Sequence, residues 1–256
     1  MAQKMNCKGQ TTIFVIVAIA IVAIIGIVFF MFGGPSLIGG EEVQPNVFIG
    51  QCIEDGVEEA LEIMLPQGGF INPKNNSLIY DNHRVEYVCY HKGYYEPCIM
   101  QHPAYLKEVE NEIVDYIEPR LEDCFESLRE DLESRNIDVE LENKMDVNVE
   151  FVPNVIRINV NRKLETSSEE ETQVIEDFDA LITHPIYELI NTGITIASQE
   201  ARYCNFEYLG YELTYSKQHI KHEMLSDSSK IYAITDKATG EELVIAIRGC
   251  ALPVGL

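Results

Sequence analysis

Positive charge is what this chain is shortest of. Its 256 residues hold 19 Lys and Arg against 42 Asp and Glu, a formal net charge of -23. Phosphates would be repelled by such a surface, which excludes nucleic acid as a partner and disfavours lying flat on an anionic membrane. Short catalytic signatures are missing as well. No glycine-rich phosphate loop follows a strand, and there is no G-x-S-x-G, H-E-x-x-H or zinc-knuckle pattern. The run Glu169-Glu170-Glu171 lacks the alternating oxygen ligands and the glycine of a calcium loop. Acids are so numerous that no catalytic pair stands out. The reading is a non-enzymatic protein with no cofactor and no catalytic or metal residues. The low hydrophobicity of disordered chains is also absent, since 46% of residues are hydrophobic.

Charge is missing most completely between Ile13 and Phe32, which contains no charged residue, no proline and no amide. At about 1.5 Å per residue the stretch Thr11–Phe32 would span about 33 Å as a helix, against a hydrocarbon core of roughly 30 Å. A backbone in lipid must satisfy its own hydrogen bonds, so the expectation is a transmembrane helix in the lipid bilayer. Lys4 and Lys8 precede it with no acid among residues 1–40, and Glu41 and Glu42 follow. That asymmetry predicts a cytoplasmic N-terminus, a cell-membrane location and an extracytoplasmic C-terminal domain.

Cysteine usage agrees with this topology. Cys7 precedes the apolar run, and Cys52, Cys89, Cys98, Cys124, Cys204 and Cys250 fall on the outer side. An even number in an oxidising compartment points to disulfides, although sequence alone leaves many pairings open. Cys52 and Cys124 lie on the apolar faces of two expected helices, so their packing favours Cys52–Cys124. Cys89 and Cys98 flank the loop His91–Pro97. With His91 and His102 they also form a C-x-H, C-x3-H arrangement, but it fits no established zinc spacing, and a Cys89–Cys98 bridge is preferred. Cys204–Cys250 follows by elimination.

The start of the chain, Lys8-Gly9-Gln10 running directly into the apolar stretch, resembles the class III signal of archaeal type IV pilin-like proteins. The resemblance covers residues 1–32. It implies a prepilin peptidase as a processing partner, cleavage between Gly9 and Gln10, and retention of the apolar helix as an anchor able to self-associate. Ala18, Ala20, Ala23 and Gly26 would permit close approach between such helices. Phe14 stands five residues after the cut, where many bacterial pilins carry glutamate and archaeal members often do not.

Beyond the linker, hydrophobic periodicity alternates between helix and strand. Helices are expected over Asn46–Leu65, capped by Asn46, over Pro103–Asn136 with a kink at Pro119, and over Pro185–Tyr203. Strands are expected within Leu78–Tyr90, in a hairpin turning at Pro153-Asn154, over Val174–Ile182, along Leu209–Tyr215, and in a hairpin of Ile231–Thr235 with Leu243–Ile247. Asn75-Asn76-Ser77 makes Asn75 a glycosylation candidate. The expected organisation is a leader at 1–9, a transmembrane helix at 10–32, a flexible linker at 33–46, and an α+β extracytoplasmic domain of helices packed on antiparallel strands at 47–256. The preferred function is a single-pass, membrane-anchored surface subunit of pilin-like type. The alternatives are an uncleaved envelope protein whose outer domain binds a partner or ligand, and a membrane-tethered enzyme with an unrecognised site.

Overall fold

A computed structural model describes residues 44–74, 76–168 and 172–253. Gly9, Gln10, the stretch Thr11–Phe32, the linker as far as Val43, and Asn75 lie outside them. The expected architecture needs correction on its first element. Among the described residues no helix is long and apolar enough to cross a membrane, and the fold is α+β with four helices and two sheets. The physical reason is that each long helix is two-faced, with an apolar stripe on one side and charge on the other.

Helix α1 is Pro45–Met64. Proline fits its first position because a missing N–H costs nothing there. The cap position is Gln44 and makes no side-chain bond, so Asn46 is not the cap expected from sequence. A 3-10 turn follows at Leu65–Gln67, and Gly68 and Gly69 leave it at φ of 79° and 82°, a conformation that disfavours side chains. Helix α2 is Tyr105–Ser134 and continuous, with Pro119 inside it. Strands β1 (Ser77–Tyr80), β2 (His83–Tyr90) and β3 (Ile99–Met100) lie between the two helices. Then come β4 (Asp138–Leu141), β5 (Asp146–Val152), β6 (Val155–Ser167) and β7 (Thr172–Thr183). Helices α3 (Ile186–Tyr203) and α4 (Tyr208–Thr214) precede β8 (Gln218–Met224), β9 (Lys230–Asp236) and β10 (Glu242–Arg248).

The smaller sheet is built around β6, which pairs antiparallel with β4, β5 and β7. Its inward row is Ile156, Ile158, Val160, Arg162 and Leu164, every second residue as a pleated strand requires. Arg162 is the polar exception. Its guanidinium lies over Phe125 and makes paired 3.0 Å bonds to Glu122 of α2. Helix α2 packs on this sheet, with Phe125 edge-on to Phe178, and α1 packs on α2 so closely that a Cβ on Gly56 would lie 3.3 Å from Ile117.

The larger sheet has the order β1-β2-β10-β9-β8, with β3 also on β2. Here the expectation of antiparallel strands fails at one place: β2 and β10 are parallel. Most of the chain separates them, helices included, and such a long crossover can return a strand in either direction. Strands β9 and β10 are buried along nearly their whole length because both faces are covered. Gly193 of α3 faces Leu243 and Ile245, while Val244 and Ala246 join Val85 and Tyr87 on the opposite side. A second correction concerns Leu209–Tyr215. It is helix α4, not a strand, with Leu209 and Leu213 turned to solvent.

Candidate functional site: a tyrosine cleft at the N-terminal end of α3

All six cysteines of the described residues are bridged. Cys52 joins Cys124 across α1 and α2, with Cα atoms 6.5 Å apart. Cys89 joins Cys98 at 5.4 Å, and Cys204 joins Cys250 at 5.8 Å. These are the pairs favoured from sequence. The first bridges two helices whose apolar faces meet. The second closes the loop carrying Tyr94 and Tyr95, which Arg248 pins through bonds to the carbonyls of His91 and Lys92. Among the described residues no group of three or more His, Cys, Asp or Glu is arranged to hold a metal ion.

A concavity opens between the β5–β6 turn, the start of α3, α4 and the start of β8. The β5–β6 turn reaches over from the smaller sheet, with Asn154 at a φ of 61°. His184 N donates to Asn154 O at 3.1 Å, and Asn154 N donates to Glu188 Oε2 at 3.3 Å, tying the turn to the start of α3. Opposite stand α4 and the start of β8. The cavity between them measures about 490 Å3, within the ~300–1,000 Å3 usual for small-molecule sites. Tyr187, Tyr211 and Tyr215 form its aromatic walls. The Tyr211 and Tyr215 rings stack at 4.4 Å, and Phe206 supports Tyr211 from behind at 5.3 Å.

A buried hydrogen-bond chain holds the back wall. Thr192 Oγ1 donates to Gln218 Oε1 at 2.6 Å, and Gln218 Nε2 donates to the Glu188 carbonyl at 3.2 Å. Tyr211 OH lies 3.1 Å from Thr192 Oγ1. Asn191 Nδ2 donates to Tyr187 O at 2.8 Å, which orients that amide. The front is different. The side chains of Asn154, Tyr187, Tyr215 and Lys217 hydrogen-bond to nothing among the described residues. A neighbouring hollow of about 380 Å3 shares Asn154, Lys217 and Asp236 and extends the cleft toward His184.

His184 is buried, and burial pushes its pKa down against the pull of Glu241. Its Nδ1 accepts from Ile186 N at 3.1 Å, so any proton on the neutral ring sits on Nε2, facing Glu241 at 3.7 Å. Beyond it is a third cavity of about 420 Å3, lined by Glu54, Glu58, Glu62 and Glu241 around Leu61 and Leu181.

Two other polar clusters are internal. At the C-terminal end of α3, Lys230 Nζ donates to Glu200 Oε2 at 2.6 Å and to Cys204 O at 2.7 Å, capping the helix with a positive charge. Tyr232 OH donates to the other oxygen of Glu200. Burial, then the Glu200 charge, raises the Tyr232 phenol far above its ordinary range. His222 stacks on Tyr232 at 4.8 Å, and burial together with Lys230 lowers its pKa. The second cluster is His102. Its Nδ1 lies 2.6 Å from Glu108 Oε2 and its Nε2 3.6 Å from Glu86 Oε1, with Phe70 against the ring at 4.4 Å. Burial works against the charged ring, but the two carboxylates outweigh it and the pKa is raised.

No candidate site residue named from the sequence lines the cleft; its residues come from four separate segments. The one local signal is the pair Tyr211 and Tyr215, which alternation assigns to a strand over Leu209–Tyr215. Compared with family models, curated proteins and solved structures, the chain matches none.

Proposed function

We propose that this chain is a non-enzymatic surface subunit of the archaeal type IV pilin-like kind. A prepilin peptidase removes the leader between Gly9 and Gln10. The apolar run Thr11–Phe32 holds the protein at the membrane and packs against copies of itself, and the acidic domain stands outside the cell. The observation that carries this reading is the cysteine pairing. Every described cysteine is bridged, across separations of 72, 9 and 46 residues, which suits an oxidising compartment. The N-terminal sequence of the protein from native membranes tests it, together with its unreduced mass. A start at Gln10, lost on Gly9→Val along with any filament, supports processing and assembly. A start at Met1 or Ala2 ends the pilin reading.

A second reading has its own support. In that reading the chain is an uncleaved envelope protein whose outer domain binds a partner or ligand, and the tyrosine cleft with its unspent polar groups favours that role.

A further inference from the structure

We infer that the cleft at the N-terminal end of α3 is a binding site for a neutral saccharide. The inference rests on the outer domain being a binding domain and is independent of processing at Gly9.

The lining selects the ligand by what it offers. No Leu, Ile, Val, Met or Phe lines the cavity, so an acyl chain or other fully apolar ligand gains little there. Lys217 is its one basic residue, set against Glu188 and Asp236, so a phosphate or sulfate finds no cluster of donors. For a cation, Lys217 offsets one of the two carboxylates, and one oxygen of each is already engaged. Asp236 Oδ1 already accepts from Ala238 N, Thr239 N and Thr239 Oγ1, and Glu188 Oε2 accepts from Asn154 N. The hollow lined by four glutamates is the place for positive charge, and it lies beyond His184.

What remains is flat aromatic surface edged by neutral donors and acceptors. A pyranose ring has that complementary form. Its axial C–H groups make a weakly apolar face that stacks on an aromatic ring, and its hydroxyls both donate and accept around the rim. Tyr215, 56% exposed and backed by Tyr211, offers the stacking surface. Asn154, Tyr187 and Asn191 offer amide and phenol groups able to pair with hydroxyls, which also both donate and accept. The adjoining hollow past Asn154 and Lys217 gives room for a second and third sugar unit.

The test uses the unreduced full chain in a detergent without a sugar headgroup. The probes are maltotriose, cellotriose and the N-acetylglucosamine trimer, followed by calorimetry. Tyrosine emission serves as a second readout, because the chain has 13 tyrosines and no tryptophan to mask them. At least one trisaccharide should bind saturably. Tyr215→Ala should weaken it about tenfold, the loss of one aromatic contact. Asn191→Ala should weaken it by a similar factor, while Tyr203→Ala, an exposed tyrosine outside the cleft, should leave it unchanged. Circular dichroism establishes that each variant is folded. The assignment is overturned if none of the three binds, or if binding survives both Tyr215→Ala and Asn191→Ala. It is also overturned if a lysine-rich peptide binds instead and loses affinity on Tyr215→Ala. A start at Met1 alongside saccharide binding would sink the pilin reading and leave this one standing.

Discussion

Helix α3 carries a polar network at each end, and the two are built on opposite terms. At the C-terminal end both oxygens of Glu200 are occupied, and Lys230 shares its donors between Glu200 and the Cys204 carbonyl. At the N-terminal end Thr192 and Gln218 are bonded, but Asn154, Tyr187, Tyr215 and Lys217 in front of them are not. Exposure accounts for the difference. Glu200 is 1% exposed and Lys230 7%, and charges so far from water must be answered inside the protein. The cleft side chains reach water, so leaving them unpaired costs little until a ligand replaces that water. A saturated network specifies structure, whereas side chains left unpaired at the surface are free for recognition.

The comparison breaks most directly at Glu200. Glu200→Gln keeps the shape but leaves Lys230 buried without a counter-charge, a loss of about 3–5 kcal/mol. Thermal denaturation should register it as a fall of about 10 °C in Tm for a domain of this size. A variant melting within a few degrees of the parent would show that the C-terminal network is no more structural than the cleft.

The disulfide that ends α3 comes next. Replacing Cys204 and Cys250 together by serine frees a loop of 46 residues in the unfolded chain, worth about 2–4 kcal/mol. Denaturant titration should show that loss, with binding in the cleft unchanged, because the bridge anchors only the far end of the helix. Loss of binding in a folded double variant would mean that the two ends are coupled.

How much of this was readable beforehand depends on the range of the interaction. The stripe of α2 through Val109, Ile113, Ile117 and Leu121 is local periodicity, and it also brought Cys124 to the side facing Cys52. The hairpins at Asn154 and between β9 and β10 are likewise local, set by a turn and the alternation beside it. The pairing of β2 with β10 joins residues far apart in the chain, and no periodicity reports a partner at that distance. Lys230 opens β9, and only the fold brings Glu200 to it. Helix α4 was misread because Leu209, Tyr211, Leu213 and Tyr215 alternate by coincidence. The segment buries none of its residues, so no core face exists to mark its true period. The cleft shared that fate, since α4 supplies one of its walls.

His102 stands between the two cases, partly buried and answered by two carboxylates from different elements. Its raised pKa makes the contribution pH-dependent in a definite direction. The stabilisation is complete below the ordinary histidine value of about 6.5 and is lost as pH rises through the raised value. His184 and His222 act in the opposite sense. Their pKa values are lowered, so their share is present above the ordinary value and lost as pH falls toward the depressed ones. Tm should therefore pass through a maximum near neutrality. In His102→Gln the decline on the alkaline side should flatten, by about 1–2 kcal/mol, leaving the acid limb. An unchanged alkaline limb would remove His102 from this account.

The smallest effect on stability belongs to the residue on which the cleft most depends. Tyr215 keeps 56% of its surface exposed, and its hydroxyl bonds to nothing among the described residues. It follows the last turn of α4 and is held there by its own backbone, since Tyr215 N donates to Tyr211 O at 2.8 Å. Tyr215→Ala leaves that bond in place and opens no internal cavity. The cost is one stacking contact with Tyr211, and Phe206 still supports Tyr211 from behind. Chemical denaturation should find the variant within about 0.5 kcal/mol of the parent, even as ligand binding falls. Set against Glu200→Gln, the order of effects reverses: Glu200 is required by the fold and not by the cleft, and Tyr215 is required by the cleft and not by the fold. A Tyr215→Ala variant as unstable as Glu200→Gln would show that Tyr215 is structural, and the distinction between the two ends of α3 would collapse.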